Sequence, residues 1–315
     1  MEYTAVIRTL GTAGDKYQTL LDSLASQTIK PAKILVYIAE GYDIPKETIG
    51  IEEYIYVKKG MVAQRALQYN EVETEYMLFL DDDLEFPADT VESMFNLLKT
   101  NEADVISPDI FSNADRKFKE RFLMLFSGRM KARRDDGFWG YKVMRNSGYS
   151  YNRKPQQDVY WSQTNAGACL LCKKEDFLRI NFDEESWLDA TNYALGDDQV
   201  MFYKMYKKNL KILTWFKHSF IHLDGGENMK LEKKNKVIYS DFRFKTIFWH
   251  RFIYSPEKNF FLKLWDILCI SYPLLFTLMI SLLKLNRKVF LLKYTAIKDA
   301  VTFIKSEEYK QLPKI

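Results

Sequence analysis

Three adjacent aspartates follow an apolar run in the first third of the chain. Residues 76–80 read YMLFL, and Asp81, Asp82 and Asp83 come directly after them. Adjacent carboxylates repel one another, so a positive partner is needed to hold them at the end of a buried strand. Mg²⁺ and Mn²⁺ take oxygen ligands and leave positions open for phosphate and water. The pattern predicts a divalent-cation site, with acid–base chemistry or a solvated turn as the alternatives.

Alternation along the strand adds an expectation about direction. Successive strand side chains point to opposite faces, so Asp81 and Asp83 should share one side and Asp82 the other. The chain contains neither GxxxxGK[ST] nor GxGxxG. Any phosphate is therefore expected to be held by a metal and by side chains, and not by a glycine-rich loop.

A second acidic pair, Asp197 and Asp198, follows Gly196 and precedes an apolar helical pattern. Carboxylates in this position can cap a helix and interact favourably with its dipole. They can also provide a general base, because two adjacent acids raise the pKa of one of them toward a working value. The residues alone leave both interpretations open.

Strand and helix patterns alternate around these acids. Strands are predicted at 4–9, 31–41, 54–57, 76–80, 103–107, 166–171, 210–215 and 220–226, and helices at 17–24, 61–70, 91–98 and 196–209. The alternation predicts an α/β fold with a doubly wound, mostly parallel sheet. Ligands of such sheets bind beyond the carboxyl ends of the strands, which is where the three aspartates would lie.

The bulk composition limits the class of protein. A chain of 315 residues, 47% of them hydrophobic, can form one large domain, or one domain with an appendage. The net charge of +4 is too small to indicate a nucleic-acid partner. Cys169 and Cys172 lie in an apolar run, so we expect buried thiols and a reducing, cytoplasmic setting. The N-terminus has no secretory signal pattern.

The alternation of strand and helix patterns becomes irregular between residues 111 and 163. Residues 127–157 are rich in Gly, Arg, Lys and aromatic residues and have no clean period. We expect a long excursion or mobile loop over the site. Its basic segment 131–134 is expected to be solvated, with contact to a pyrophosphate-lipid acceptor as the alternative.

The ordered set of motifs resembles the inverting glycosyltransferases of family 2, which have the GT-A fold. The resemblance covers roughly residues 3–225. It is carried by AVIRT with the β-α-β unit after it, by LFLDDD as a DxD signature, and by NAGACLLCKKEDF, GDDQV and FIHLDGG. Two positions depart from the family pattern: Leu-Gly follows the first strand, and Glu40 stands where Asp is commoner.

The resemblance implies a role for each site residue. Asp198 takes the position of the catalytic base, with Asp197 beside it. Asp81, Asp83 and His222 are implied as ligands of Mn²⁺ or Mg²⁺, with a purely structural histidine as the alternative at 222. Contacts to the nucleotide-sugar are implied for Thr9, Glu40, Gln64, Arg65, Asp81 and Asp82.

The resemblance also implies a reaction. A nucleotide-diphospho-sugar, for which we favour UDP, would donate its sugar to a hydroxyl of a glycan or lipid-linked acceptor. The metal would neutralise charge on the leaving diphosphate, and the base would take the hydroxyl proton. A single in-line displacement would invert the anomeric configuration.

The C-terminal third has a different character. Residues 267–283 form a run of 17 residues without a charge, whereas a span needs about 20 apolar residues, and Pro273 interrupts the run. Residues 230–263 carry nine Lys and Arg against three acids, and residues 284–315 carry eight against three. Basic flanks on both sides disfavour a single crossing and favour helices lying in a leaflet against anionic lipid.

We therefore predict a catalytic domain at 1–228 and a basic, aromatic, helical membrane-association region at 229–315. A helical cap on the core and a true membrane span are the alternatives. Analogy with the family places the protein at the cytoplasmic face of the bacterial inner membrane, in surface-polysaccharide synthesis.

Three other functions remain open. A phosphohydrolase also carries acids at a strand end, but Thr or Val is expected where Glu85 stands. A metal-dependent nucleotidyltransferase uses paired aspartates, but residues 11–16, GTAGDK, are a poor version of its glycine-rich loop. A non-catalytic, membrane-attached nucleotide-binding protein is the third, and the intact acids argue against it.

Overall fold

The computed structural model describes residues 1–110, 118–126, 139–151, 155, 157–191, 193, 195–223 and 231–315. Much of the predicted excursion at 127–157, including the basic segment 131–134, lies outside the described residues, as do the last residues of the FIHLDGG motif. The strands are β1 (Tyr3–Thr9), β2 (Lys33–Ala39), β3 (Glu52–Val57), β4 (Tyr76–Asp81), β5 (Leu84–Glu85), β6 (Val105–Pro108), β7 (Tyr141–Val143), β8 (Tyr149–Tyr151), β9 (Val159–Ser162), β10 (Cys169–Lys173), β11 (Ile212–Trp215) and β12 (Ile221–His222). The helices are α1 (Asp15–Ala25), α2 (Thr90–Asn101), α3 (Phe118–Phe126), α4 (Lys174–Leu178), α5 (Asp197–Lys207), α6 (Leu231–Trp249), α7 (Phe260–Leu283), α8 (Arg287–Ile304) and α9 (Glu307–Gln311), with a 3-10 helix at Phe182–Ala190 and a π-helical turn at His250–Tyr254.

Eight strands form one sheet in the order β3-β2-β1-β4-β10-β6-β11-β9. Four of the seven strand pairs in this described sheet are parallel, while β10 runs antiparallel to both neighbours and β9 to β11. The predicted α/β fold with a mostly parallel sheet is confirmed. Because β1, β2 and β4 are parallel, their carboxyl ends meet at one edge.

The central strands are covered on both faces, which explains why their sequences are almost continuously apolar. On one face Val6, Leu35 and Phe79 pack in a core that includes residues of α5 and α6. On the other face Ile7 and Leu78 pack in a core with the apolar stripes of α1 and α2. Cys169 and Cys172 are buried free thiols in β10, as expected.

Residues 61–70, predicted to be helical, form a series of turns instead. The reason is a tertiary contact: the Asp189 carboxylate accepts hydrogen bonds from the backbone N–H groups of Val62 and Ala63, both 3.0 Å long. A side chain on Gly60 would collide with that carboxylate. Asp189 therefore fixes a tight turn that presents the next residues, Gln64 and Arg65, to the end of the sheet.

The C-terminal helices include both core and surface elements. Phe244, Ile247 and Phe248 of α6 belong to the same hydrophobic core as the sheet. Helix α7 is 24 residues long and begins earlier than the apolar run, because the Asn259 side chain caps it by accepting from the N–H groups of Phe261 and Leu262. Among the described helices, α7 alone is long and apolar enough to cross a membrane by length and composition, with a mean hydropathy of 1.9 and 17% burial over its most apolar window. The boundary at 228 and the membrane association stay predictions.

A buried ion network joins α5 to the C-terminal region. Glu185, in the 3-10 helix, is fully buried and accepts two hydrogen bonds from Arg251, of 2.9 and 2.8 Å. Lys204 of α5 donates to Glu185 at 3.0 Å, and the Trp187 indole N–H donates at 2.7 Å. Burial alone would raise the pKa of Glu185, but Arg251 and Lys204 lower it below its ordinary value.

We expect Glu185→Gln to lower the free energy of unfolding by about 3 kcal/mol, because Arg251 would keep a buried charge without its carboxylate, while Lys204 would retain only its pair with Glu184 at 2.7 Å. Unfolding of the detergent-purified protein by urea measures the loss. Since the folded pKa of Glu185 lies below the unfolded one, this stabilisation is present at neutral pH and disappears as the pH falls through the folded pKa. The control is Glu307→Gln, which removes an exposed pair with Lys310 and should cost less than about 1 kcal/mol. Equal, small losses in both variants would contradict the role given to Glu185.

Candidate active site

A pocket of about 370 Å³ lies at the carboxyl ends of β1 and β4, where the predicted α/β sheet should bind its ligand. Its walls come from the end of β1, the loop before α1, the turn at 61–66, the aspartate cluster and β12. The lining residues are Arg8, Thr9, Leu10, Thr12, Ala13, Lys16, Met61, Gln64, Asp81, Asp82, Asp83 and His222.

All three aspartates line this pocket. Alternation predicts that Asp82 faces away from Asp81 and Asp83, but β4 ends at Asp81 and the next two residues lie in a bend, so all three side chains reach the same pocket. Each carboxylate has its own partner: the partners of Asp81 and Asp82 are adjacent residues of β1, and the partner of Asp83 belongs to β12. Asp81 accepts from Arg8 Nε at 2.7 Å, Asp82 accepts from the Thr9 hydroxyl, and Asp83 Oδ1 lies 3.1 Å from His222 Nε2.

The positive partner required by the aspartates is, in part, an arginine that the sequence argument missed. Arg8 is the register partner of Asp81 across the parallel pair β1–β4, so the sheet itself places the guanidinium beside the carboxylate. A charged residue inside the apolar strand VIRT was the available signal. Arg8 also lies 3.5 Å from Asp197, which brings the second acidic pair to the same edge of the sheet.

Arg65 joins the two acidic motifs. Its Nη1 atom donates to Asp197 at 2.8 Å and also to Asp198, and its Nη2 atom donates to the Gly167 carbonyl at 2.9 Å and lies 3.9 Å from Asp81. The Arg65 side chain is 3% exposed, so these charges interact with little screening. A side chain at Gly167 would collide with Asp198 and Arg65, so the lack of one lets the segment before β10, the turn and α5 approach closely.

The two residues of the second acidic pair have different environments. Asp197 is buried, and burial together with the neighbouring Asp198 raises its pKa. Burial also acts on Asp198, but Arg65 and Arg8 outweigh it and lower the pKa of that carboxyl. The Asp198 side chain is 34% exposed, against 5% for Asp197. Asp198 is therefore the carboxylate of the pair that a substrate hydroxyl can reach.

Two of the residues predicted to bind nucleotide tie the strand ends together. The Gln64 amide donates to the carbonyls of Thr9 at 3.2 Å and Tyr37 at 3.4 Å, so it bridges the ends of β1 and β2. The Thr9 hydroxyl accepts from the Gly11 N–H at 2.8 Å while it donates to Asp82. Glu40, at the end of β2, is exposed and does not line the described pocket.

The pKa of Asp82 is raised above its ordinary value. Burial raises its pKa to about 6, and the neighbouring charges of Asp81 and Asp83 add to that rise, although the hydrogen bond from Thr9 opposes it. A cation entering the pocket would lower this pKa, because it would offset the effect of burial and the negative charges of Asp81 and Asp83. The pocket thus carries more negative charge than its arginines balance.

Asp83 and His222 are the residues best placed to hold a metal ion. A carboxylate oxygen and an imidazole nitrogen 3.1 Å apart suit Mn²⁺ or Mg²⁺ in type, although no group of three or more potential ligand side chains occurs among the described residues. Two protein ligands are sufficient where substrate phosphates and water complete the coordination sphere. Asp81, also predicted as a ligand, accepts a hydrogen bond from Arg8 Nε through its Oδ1 atom, and its role as a ligand stays a prediction.

Comparison with known families provides an independent observation. Residues 53–178 match the family model described as Glycosyl transferase family 2. The resemblance to glycosyl transferase family 2 is confirmed. The family 2 segment contains Arg65, the aspartate triplet and Gly167, and together with the observed sheet it confirms the predicted GT-A fold and supports a glycosyltransferase.

Two solved structures of TarS from S. aureus are similar to this chain. The crystal structure of TarS 1–349 is 12% identical, with a TM-score of 0.47, and the alignment covers 87% of this chain and 71% of that one. The crystal structure of TarS is 13% identical, with a TM-score of 0.44, and the alignment covers 78% of this chain and 39% of that one. Comparison with curated proteins gives no significant match.

We expect Asp197→Asn and Asp198→Asn to differ in their effect on stability. Asp197 is the buried partner of two arginines, so its replacement should cost about 3 kcal/mol of unfolding free energy. Asp198 is a third exposed and should cost no more than about 1 kcal/mol. Urea unfolding of the two matched variants measures the difference, and a larger loss for Asp198→Asn would exchange the structural and chemical roles assigned here.

Proposed function

We propose that this protein is a metal-assisted, inverting glycosyltransferase that moves a sugar from a nucleotide-diphosphate donor to a hydroxyl of a glycan or lipid-linked acceptor. The observation that carries the proposal is the convergence of two acidic motifs on one pocket. Asp81 to Asp83 line the pocket, and Arg8 and Arg65 join them to Asp197 and Asp198 at the same edge of the sheet.

The donor would lie across the carboxyl ends of β1 and β4. Thr9, Gln64, Asp81 and Asp82 are the proposed contacts to the nucleotide-sugar in the pocket, with Arg65 behind them and Glu40 at the outer end of β2. Lys16 of α1 also lines this pocket and adds a cation at the amino end of a helix, where an anion is favoured. We favour UDP as the nucleotide.

Asp83 and His222 would hold the divalent cation, Mn²⁺ or Mg²⁺. When bound, the cation neutralises negative charge on the leaving diphosphate. Within the chain, His222 is supplied by β12, which pairs with β5 immediately after the aspartates. The β5–β12 pair therefore keeps the imidazole beside Asp83, with the N–H of Leu223 donating to the Asp83 carbonyl at 2.8 Å.

Asp198 is the proposed general base. It would accept the proton of the acceptor hydroxyl while the hydroxyl oxygen forms a bond to the anomeric carbon. The bond from that carbon to the diphosphate breaks, and its electron pair leaves with the diphosphate from the opposite face. A single displacement of this kind inverts the anomeric configuration. Arg65 keeps Asp198 ionised and oriented, and Asp197 holds Arg65.

The membrane provides the proposed location. Helix α7 exposes Phe261 at 78% and Trp265 at 55%, and Lys and Arg residues flank it on both sides. Exposed aromatic residues beside basic ones are typical of helices that lie at a bilayer surface. We propose attachment at the cytoplasmic face of the bacterial inner membrane, where enzymes of surface-polysaccharide synthesis meet lipid-linked acceptors.

Calorimetric titration with UDP, GDP and CMP, each with and without Mn²⁺, tests the donor site. We expect one nucleotide to bind in a metal-dependent manner, and Asp83→Asn to abolish the dependence while the surface control Asp158→Asn does not. Asp198→Asn should keep nucleotide binding but lose roughly 10²- to 10⁴-fold in turnover, the usual contribution of a general base. Failure of every nucleotide to bind the wild-type protein, or a product with retained configuration by NMR, would reject the proposal.

Flotation with vesicles of phosphatidylglycerol and phosphatidylethanolamine tests the attachment. We expect the double variant Phe261→Ser/Trp265→Ser to lower the fraction of protein that floats several-fold, because each side chain contributes about 1.5–3 kcal/mol when its apolar surface is buried. Ile51→Ser, on the exposed end of the sheet, is the matched control with an equally exposed apolar side chain. Equal flotation of all three proteins would exclude α7 as the attachment surface.

A further inference from the structure

A second cavity, of about 620 Å³, lies between α3, the β7–β8 hairpin and helices α6, α7 and α8. Its lining is mainly apolar and includes Phe242, Leu274, Phe276 and Ile280. The volume is within the range of ligand sites. No residue of the donor pocket lines it, so its apolar volume has no part in holding a nucleotide.

The cavity also has a cationic side. Lys293 of α8 donates to the Thr277 carbonyl at 3.0 Å and to the Ser281 hydroxyl at 2.9 Å, and no carboxylate among the described residues forms an ion pair with it. Lys245 lies on the same side, paired with Asp241 at 2.6 Å, and both ammonium groups stack on the Phe242 ring. Burial lowers the pKa of Lys293, the nearby Asp241 carboxylate raises it, and the charges of Lys284 and Lys245 lower it. An anion beside Lys293 would relieve this repulsion.

The position of the cavity relates it to the proposed base. Leu195 lines the cavity and stands three residues before Asp198, and three residues of extended chain reach at most about 11 Å. Gly196, between them, packs so closely on Phe244 of α6 that any side chain there would collide with the ring. Helix α6 therefore borders the cavity and supports the loop that carries Asp197 and Asp198.

The cavity also lies behind the exposed apolar face of α7. Leu275 and Met279 are exposed on that helix, whereas Leu274 and Ile280 line the cavity. A hydrocarbon chain could pass from the surface of α7 into the cavity while remaining in contact with apolar side chains. A free sugar or nucleotide would gain nothing from such a lining.

We propose that this cavity binds the hydrocarbon chain of the acceptor, a phosphorylated lipid, with the lipid phosphate beside Lys293 and the acceptor hydroxyl toward Asp198. The assignment of the lipid as acceptor rests on the proposed function. Binding of the lipid itself depends only on the cavity and its cation.

Photo-crosslinking with geranylgeranyl phosphate that carries a diazirine on its isoprenoid chain tests the site directly, without turnover. We expect labelled peptides from the cavity segments of α6 and α7, identified by mass spectrometry. Lys293→Gln should lower the labelling about tenfold, the loss of one hydrogen bond between charged groups. Lys298→Gln removes the same charge from an exposed position of the same helix and should leave the labelling unchanged.

A cavity-filling variant and a competition experiment distinguish failure of the lipid site from failure of the proposed function. Leu274→Trp, which fills the cavity and keeps Lys293, should also lower the labelling, and its melting temperature and nucleotide titration confirm that the donor pocket is intact. Labelling of only the outer face of α7, insensitive to Lys293→Gln, would overturn the proposal. Equal competition by phosphatidylglycerol would assign the cavity to bulk lipid and overturn the acceptor role. Cavity labelling by a protein that binds no nucleotide would reject the proposed function while the lipid site stands.

Discussion

The candidate site depends on one buried guanidinium. Arg65 lies between the two acidic motifs, where it contacts Asp197, Asp198 and the Gly167 carbonyl, with Asp81 within 4 Å. Three carboxylates this close would repel one another strongly in a low-dielectric environment. Arg8 neutralises part of this negative charge, because it pairs with Asp81 and lies 3.5 Å from Asp197. The candidate site is thus a network of ion pairs, which the proposed donor would have to rearrange when it binds.

The 3-10 helix Phe182–Ala190 connects this network to the rest of the molecule. Asp189, next to the last residue of this helix, fixes the turn that presents Arg65. Glu185, near its middle, binds Lys204 of α5 and Arg251 of the π-helical turn. Both acidic motifs and the C-terminal region are therefore tied to one short segment.

The described surface has a polar, charged region at one edge of the sheet and an apolar region on the helices. Polar and charged side chains converge at the carboxyl edge of the sheet, as expected for a site that handles phosphates and hydroxyl protons. The exposed large apolar residues concentrate on α3, α7 and α8. The lipid cavity proposed here lies between these two regions and is bounded by α6, which also belongs to the hydrophobic core of the sheet.

The sequence by itself determined the succession of strands along the first half of the chain, the aspartate cluster at a strand end and the acidic pair at the start of α5, because apolar periodicity and charge are local properties. Only the tertiary structure decided what those acids contact. The register of β1 against β4 placed Arg8 beside Asp81, the bend after β4 turned Asp82 into the pocket, and Asp189 converted a helical pattern at 61–70 into the turn that carries Arg65. Each of these contacts joins residues 70 or more positions apart, and no local pattern encodes such a pairing.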